Sequence, residues 1–391
     1  MLNTPFSPWP SFTEEESQAI QRVLLSNKVN YWTGQEGRLF EKEFATFTEC
    51  SHAIAVANGT LALDLALKGI GIASGDEVIV TSRTFIASVS SVVTAGGVPV
   101  FADIDSDSQN ITCASIEAVI TPNTRAIICV HLAGWPCDMD PIMDVAAKHN
   151  LKVIEDCAQA HGAKYKGRSV GSIGDIGCWS FCQDKIMTTG GEGGMVTTDN
   201  RELWLSMWAF KDHGKSWQAV YEKQHEPGFR WLHESFGTNW RLTEMQSAIG
   251  RIQLKRMPAW LESRTKNAHA ILDSARQCSA LRVPQIAEGS VHAWYKCYLF
   301  LRPELLKENW NRDRIIENIV AQGVPCFSGS CSEVYLERAF DNTNWRPVSR
   351  LPVAKKLGET SLMFLVHPTL LKAEVDKTCH VLRQVMAEAT T

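Results

Sequence analysis

The stretch Lys152-Val153-Ile154-Glu155-Asp156-Cys157-Ala158-Gln159-Ala160-His161-Gly162 decides how this chain is read. A short β-branched run ends in two adjacent carboxylates and then in small residues and a glycine. Strands that are apolar without clean polar alternation are buried on both faces, as parallel strands are when helices cover both sides of their sheet.

The same pattern recurs outward from this point. Asp76-Glu77-Val78-Ile79-Val80-Thr81, Val98-Pro99-Val100-Phe101-Ala102-Asp103, residues 125–132, Ile176-Gly177-Cys178-Trp179-Ser180-Phe181 and Gly194-Met195-Val196-Thr197-Thr198 all read as strands. Helical segments separate them. Asn58 is placed to cap a helix over residues 61–68 that Gly69 ends, and residues 140–149 form another. The alternation predicts a doubly wound α/β layer fold, with ligands bound outside the carboxyl ends of the strands. After about residue 250 the pattern changes to helices over 245–256 and 259–276, a strand over 294–301, a helix over 312–322 and a closing helix over 373–389. We expect a large domain over residues 1–255, including an N-terminal arm, and a smaller α+β domain over residues 256–391.

Composition narrows the function. In a chain of 391 residues, 45% are hydrophobic, 21% are charged and the net charge is −4. That is ordinary for a globular protein, and no charge excess favours nucleic acid or an anionic membrane. The most apolar stretch, residues 86–101, is too short and too interrupted by serine, glycine and proline to span a bilayer. The first ten residues lack a basic region followed by an apolar core, so a cytoplasmic location is expected. Twelve scattered cysteines with no C-x-x-C pair read as free thiols, with neither a disulfide framework nor a metal site. No dinucleotide-binding glycine fingerprint, P-loop, nucleophile elbow or H-E-x-x-H occurs.

The chemistry lies in Ser180-Phe181-Cys182-Gln183-Asp184-Lys185-Ile186-Met187-Thr188-Thr189-Gly190-Gly191-Glu192-Gly193-Gly194, where Lys185 follows Asp156 by 29 positions. A lysine just past one strand and an aspartate at the end of the preceding one match the needs of pyridoxal phosphate. The lysine forms an imine with the cofactor aldehyde, and the aspartate pairs with the protonated pyridine nitrogen. Asn58-Gly59-Thr60 offers a helix N-terminus to a phosphate, and Ser180 a hydroxyl. Gln159 can donate to a ring oxygen, and Phe85 can cover the ring face. Taken singly, each residue reads more simply as structural: a solvated lysine, a capping aspartate, an ordinary capped helix, a core phenylalanine. His131 and His213 likewise read as structural histidines, although His131 ends a strand at the binding edge.

In order along the chain, these pieces resemble the DegT/StrS-type sugar aminotransferases of fold type I. The resemblance rests on Trp32-Thr33-Gly34, Ala57-Asn58-Gly59-Thr60-Leu61-Ala62-Leu63, Gly75-Asp76-Glu77-Val78-Ile79-Val80, Thr84-Phe85 and Val130-His131-Leu132-Ala133-Gly134. It continues through Glu155-Asp156-Cys157-Ala158-Gln159-Ala160, Ser180-Phe181 with Lys185, Glu192-Gly193-Gly194, and Gly237-Thr238-Asn239-Trp240-Arg241-Leu242 with Glu244-Met245-Gln246. It covers residues 28–256, with a looser match beyond.

The resemblance implies a large pyridoxal-phosphate-binding domain with a mostly parallel seven-stranded sheet between helices. Lys185 would hold the cofactor and shuttle the proton. Asp156 would bind the pyridine nitrogen, Gln159 the ring hydroxyl, Phe85 the ring face, and Gly59, Thr60 and Ser180 the phosphate. Asn239 would reach the phosphate site of a second subunit in a homodimer with shared sites. The implied reaction moves an amino group, from glutamate by analogy, to a keto or aldehyde sugar for cell-surface polysaccharide or lipopolysaccharide, with no metal. A nucleotide-linked keto sugar is expected. An oxidised octulosonate (Kdo-type) sugar, and a cofactor-binding regulator without turnover, are the alternatives. Cys182, where the family often has histidine, and an extra glycine at 190–191 depart from the family pattern.

Overall fold

The computed structural model describes residues 5–390. Strands β1 (His52–Val56), β2 (Glu77–Thr81), β3 (Val98–Ala102), β4 (Thr124–Val130), β5 (Lys152–Asp156), β6 (Ile176–Ser180) and β7 (Gly194–Thr198) form one sheet in the order β1-β7-β6-β5-β4-β2-β3. Strands β6, β5, β4, β2 and β3 pair in parallel, and β7 is antiparallel to both its neighbours, β6 and β1. The sheet is the mostly parallel seven-stranded sheet expected.

Successive side chains in a strand point to opposite faces, so each strand supplies two cores. Val78, Val80, Ile128, Val130 and Ile154 pack on one face. Ile79, Ile127, Cys129 and Val153 pack on the other. Among the described helices, α1 (Glu14–Leu25), α2 (Glu36–Phe47), α3 (Gly59–Gly69), α4 (Ala87–Thr94), α5 (Met139–His149) and α6 (Arg201–Lys211) belong to this part of the chain. Apolar residues of α3, α4 and α6 fill the first core, and those of α5 the second. Burial on both faces is why the strands lack polar alternation.

Helix α7 (Glu244–Ala275) contacts α1 and α2 in its first half. Farther along it contacts α9 (Lys372–Ala389) and β8 (Cys297–Leu301). Residues 255 and 256 both lie within it. Beyond α7, Leu281–Arg282, β8, β9 (Ser361–Phe364) and Cys326–Phe327 form a four-stranded antiparallel sheet, packed on α9 and α8 (Arg312–Ala321). Polar ties join this sheet region to the large one. Asp103 accepts the backbone N–H groups of Val353 (3.0 Å) and Ala354 (2.9 Å). The buried Arg83 donates to Ser332 Oγ (3.0 Å) and Ser361 Oγ (2.9 Å).

Three local expectations are corrected. Helix α3 passes through Gly69, and the residue in the left-handed region is Gly71 (φ +80°), where the amides of Gly71 and Ile72 return to the carbonyls of Lys68 and Leu67. The two helices expected over 245–276 are one, with Pro258 inside it. Proline forfeits one backbone bond there, and packing on both sides of the helix offsets that loss. The strand expected from residue 294 begins at Cys297, because Trp294 takes φ +52°. The preceding backbone pairs elsewhere: Ala293 N–H donates to Gly134 O (2.8 Å) and Tyr295 N–H to Ala133 O (2.9 Å).

Gly250 sets how closely α7 approaches α2. A Cβ at Gly250 would lie 2.6 Å from Cζ of the buried Phe40. Gly250→Val should therefore overpack the α2–α7 contact and lower stability by about 1–3 kcal/mol, read as a fall in thermal unfolding midpoint. An unchanged midpoint would contradict this packing account.

Candidate active site

Five parallel strands end on one side of the sheet, and a cleft of about 900 Å³ opens there. The cleft brings together Gly59, Thr60, Phe85, Asp156, Gln159, Ser180 and Lys185 from five separate segments. Asn239 is not among its lining residues. It is exposed, on a segment whose backbone bridges Asp212. His213 is exposed outside the cleft as well.

At the floor, strand alternation sends the two carboxylates of β5 to opposite faces. Glu155 is fully buried and accepts four bonds: from His131 Nε2 (2.9 Å) and from the backbone N–H groups of Gly171 (2.9 Å), Ile173 (2.8 Å) and Gly174 (2.7 Å). His131 Nδ1 accepts the N–H of Cys137 at 2.9 Å, so Nε2 carries the proton it gives to Glu155. His131 is therefore a sealed structural residue. Burial by itself would push the Glu155 carboxyl up, but His131 and the backbone donors hold it below its usual range. The group formed by His131, Glu155 and Cys157 is closed by these bonds and reads as a structural network, not a metal site.

Asp156 points the other way. Ser88 Oγ on α4 donates to its Oδ2 (2.8 Å) and the Ala158 N–H to its Oδ1 (3.1 Å), while Thr84 and Ser88 hydroxyls lie 2.8 Å apart. Burial pushes the Asp156 carboxyl up, against these donors and the charge of Lys185. A cation brought to this carboxylate would remove that penalty, which is what a protonated pyridine nitrogen does. Gln159 is oriented by the Ala133 N–H, which donates to its Oε1 at 2.8 Å and leaves its –NH2 available.

At the other end of the cleft, Asn58 caps α3 by accepting the Leu61 N–H (2.9 Å), with the first amides of α3 beside it. A Cβ at Gly59 would sit 2.6 Å from Ser180 Cβ. Only glycine lets the helix start reach the end of β6, so these N–H groups and the Ser180 hydroxyl meet at one point. That cradle fits a phosphate. Phe85 is 67% exposed at the cleft, with a ring face free to cover a planar group.

Lys185 lies in a loop that Gly190 (φ +87°) and Gly191 (φ +120°) fold back so that Gly191 bridges Cys182. Its Nζ lies 5.1 Å from the centroid of the Tyr295 ring, and Trp9 Nε1 donates to its carbonyl at 2.8 Å. The Tyr295 hydroxyl donates to Asp184 Oδ2. Ser88, Tyr295, Lys296 and Trp9 escaped sequence reasoning. Asp184, adjacent to Lys185, carried no signal of its own until Tyr295 was placed against it. The one available signal for Tyr295 and Lys296 was their position in a run read as strand.

With this geometry in hand, the comparisons identify the class. The model of the DegT/DnrJ/EryC1/StrS aminotransferase family matches residues 10–383, and the chain belongs to that family. It is a pyridoxal-phosphate-dependent aminotransferase. It is 38% identical to the GDP-perosamine synthase of Caulobacter vibrioides over 91% of this chain and 92% of that protein. It is 36% identical to a UDP-N-acetyl-3-dehydro-α-D-glucosamine 3-aminotransferase of Acidithiobacillus ferrooxidans, covering 98% and 96%. The solved aminotransferase of Psychrobacter cryohalolentis superposes with a TM-score of 0.97 at 65% identity, covering 98% of this chain and all of that one. Among the described residues no helix is long and apolar enough to cross a membrane.

The Glu155 network has a pH signature. Its carboxyl is lowered in the folded state from the ordinary 4.5, so its contribution is complete above that value and is lost as pH falls through the lowered one. Glu155→Gln should cost on the order of 3 kcal/mol at neutral pH. The gap between wild-type and variant unfolding midpoints should narrow as pH falls below 4.5. A gap that stays constant down to low pH would show that the network does not depend on the Glu155 charge.

Proposed function

We propose that the protein transfers an amino group from glutamate to a nucleotide-linked keto sugar, in the synthesis of a cell-surface polysaccharide or lipopolysaccharide. The carrying observation is one cleft in which Asp156, Lys185 and the Gly59–Ser180 cradle face a common space. The relatives' names support the sugar: a perosamine synthase and a 3-amino-sugar enzyme, each similar over more than nine-tenths of this chain.

In this reading, bound pyridoxal phosphate supplies the electron sink that stabilises negative charge at the substrate carbon. Every other element belongs to the chain. The Gly59 and Thr60 amides and the Ser180 hydroxyl hold the phosphate at the positive end of α3. Asp156 keeps a proton on the ring nitrogen, with Ser88 and the Ala158 N–H holding the carboxylate in place. Gln159 donates its amide to the ring hydroxyl, and Phe85 covers the ring. Lys185 Nζ would hold the cofactor at rest and, when free, would move one proton at the substrate carbon as general base and general acid. Asn239, exposed on its own protomer, completes the phosphate site of a second copy in a homodimer.

Two half-reactions at one site predict ping-pong kinetics, with glutamate alone converting the lysine-linked cofactor to its amine form and releasing 2-oxoglutarate. Lys185→Ala should lose the absorbance band of the lysine-linked cofactor and turnover together. Retention of both would overturn the role given to Lys185. A panel of nucleotide-linked keto sugars, scored by 2-oxoglutarate formation, tests the acceptor.

A further inference from the structure

A second amine lies in the cleft beside Lys185 and has no assigned part in the chemistry. Lys296 lines the cleft and is partly buried. Its Nζ lies 4.7 Å from the centroid of the Tyr295 ring, the ring that Lys185 Nζ approaches at 5.1 Å. The two amines are thus at most about 10 Å apart. Beyond the Tyr295 ring, Lys296 Nζ makes no hydrogen bond or ion pair with any described residue.

The charges around it are out of balance. Arg264, 1% exposed, donates through Nη1 to the Trp294 carbonyl (3.2 Å), while its Nε and Nη2 have no partner and no carboxylate pairs with it. Asp184 feels the charges of Lys185 and Lys296, but its Oδ2 is already taken by the Tyr295 hydroxyl. Although burial would raise the Asp184 carboxyl, Lys185, Tyr295 and Lys296 hold it below its usual range. Burial, with smaller contributions from Arg264 and Lys185 and against the pull of Asp184, lowers Lys296 to about 8. Glu192 and Glu337 also line the cleft, and neither forms an ion pair with either lysine. Two lysines therefore share one aromatic ring with one engaged carboxylate, and a buried, unpaired Arg264 lies behind the same segment at the Trp294 carbonyl. Such a site gains by receiving an anion.

We propose that Lys296 is the oxyanion-binding group on the substrate side of this cleft, taking a carboxylate or phosphate oxygen of the incoming substrate with Tyr295 as its platform. Lys296 sits on the Tyr295 ring and no bond joins it to Gly59, Thr60 or Ser180, so it is not a member of that cradle. An α-amino acid carries its carboxylate on the carbon next to the reacting nitrogen, and a nucleotide-linked sugar carries a diphosphate a few bonds from its carbonyl. Both bring the same chemistry within reach of a lysine arm. The assignment deepens the transaminase reading and rests on it for the identity of the two substrates.

The test separates the two sources and does not require turnover. Glutarate, a dicarboxylate without an amine, and inorganic phosphate are titrated by calorimetry into cofactor-loaded wild-type, Lys296→Met and Lys296→Arg proteins of matched unfolding midpoint. Wild type should bind at least one probe about tenfold or more tighter than Lys296→Met, with Lys296→Arg restoring most of the affinity. Selective loss of glutarate identifies the amino donor as the source, and selective loss of phosphate the sugar. In the two half-reactions run separately, the matching KM should rise about tenfold with kcat little changed. If both probes bind Lys296→Met as tightly as wild type, the proposal is overturned. Should Lys296→Met fail to fold, Lys296→Gln replaces it and the same comparison decides. Absence of any glutamate turnover in wild type would count against the transaminase reading, while the probe titration would still judge Lys296.

Discussion

The structure turns on two neighbouring carboxylates at the end of one strand. Because side chains alternate across a sheet, Glu155 and Asp156 leave β5 in opposite directions. Glu155 ties β5 to His131, which ends β4, and to the loop at Gly171–Gly174 that precedes β6. Four donors on one buried carboxylate hold three strand ends in register. Asp156, presented to the α4 side, is held by Ser88 and lines the cleft. A one-residue slip of β5 would exchange the two, taking Asp156 out of the cleft and breaking the network around Glu155.

A second constraint comes from the far part of the chain. The pairing of Ala293 and Tyr295 with Gly134 and Ala133 lays residues 293–296 along the edge of the cleft. This contact carries Tyr295 to Asp184 and Lys296 into the site, and Arg264 anchors the same segment through the Trp294 carbonyl. The N-terminal arm adds a third element: Trp9 packs edge-on to Trp260, lies 5.0 Å from the Arg264 guanidinium, and donates to the carbonyl of Lys185. The loop of Lys185 is thereby held by the N-terminal arm through Trp9 and by the segment at Tyr295.

The balance of charge in the cleft follows from these placements. Around Gly59 the cleft offers the first N–H groups of α3 and the Ser180 hydroxyl. Lys185 and Lys296 meet instead at the Tyr295 ring. A helix start with its dipole and a pair of amines thus give one cleft two kinds of group suited to anions.

Much of this was legible from the residues alone, because it depends on short-range rules. Strand ends follow from runs of apolar residues, the α3 start from the capping chemistry of Asn58, and the order of Asp156, Ser180 and Lys185 from consecutive strands of a layered sheet. Boundaries failed where tertiary contacts overrode local preference. Pro258 did not break α7, and Trp294 broke an apolar run because its neighbours' amides were claimed by Ala133 and Gly134. Ser88, Tyr295 and Trp9 could not be read from their surroundings, since their hydrogen-bond partners lie 68 to 176 positions away along the chain, and Lys296 reaches the cleft only once residues 293 and 295 pair with Gly134 and Ala133. Periodicity and capping report only the next few residues. The sequence by itself determined the sheet, its binding edge and the lysine–aspartate pair. Only the folded chain decided what surrounds that pair, because those contacts exist only once distant segments are packed together.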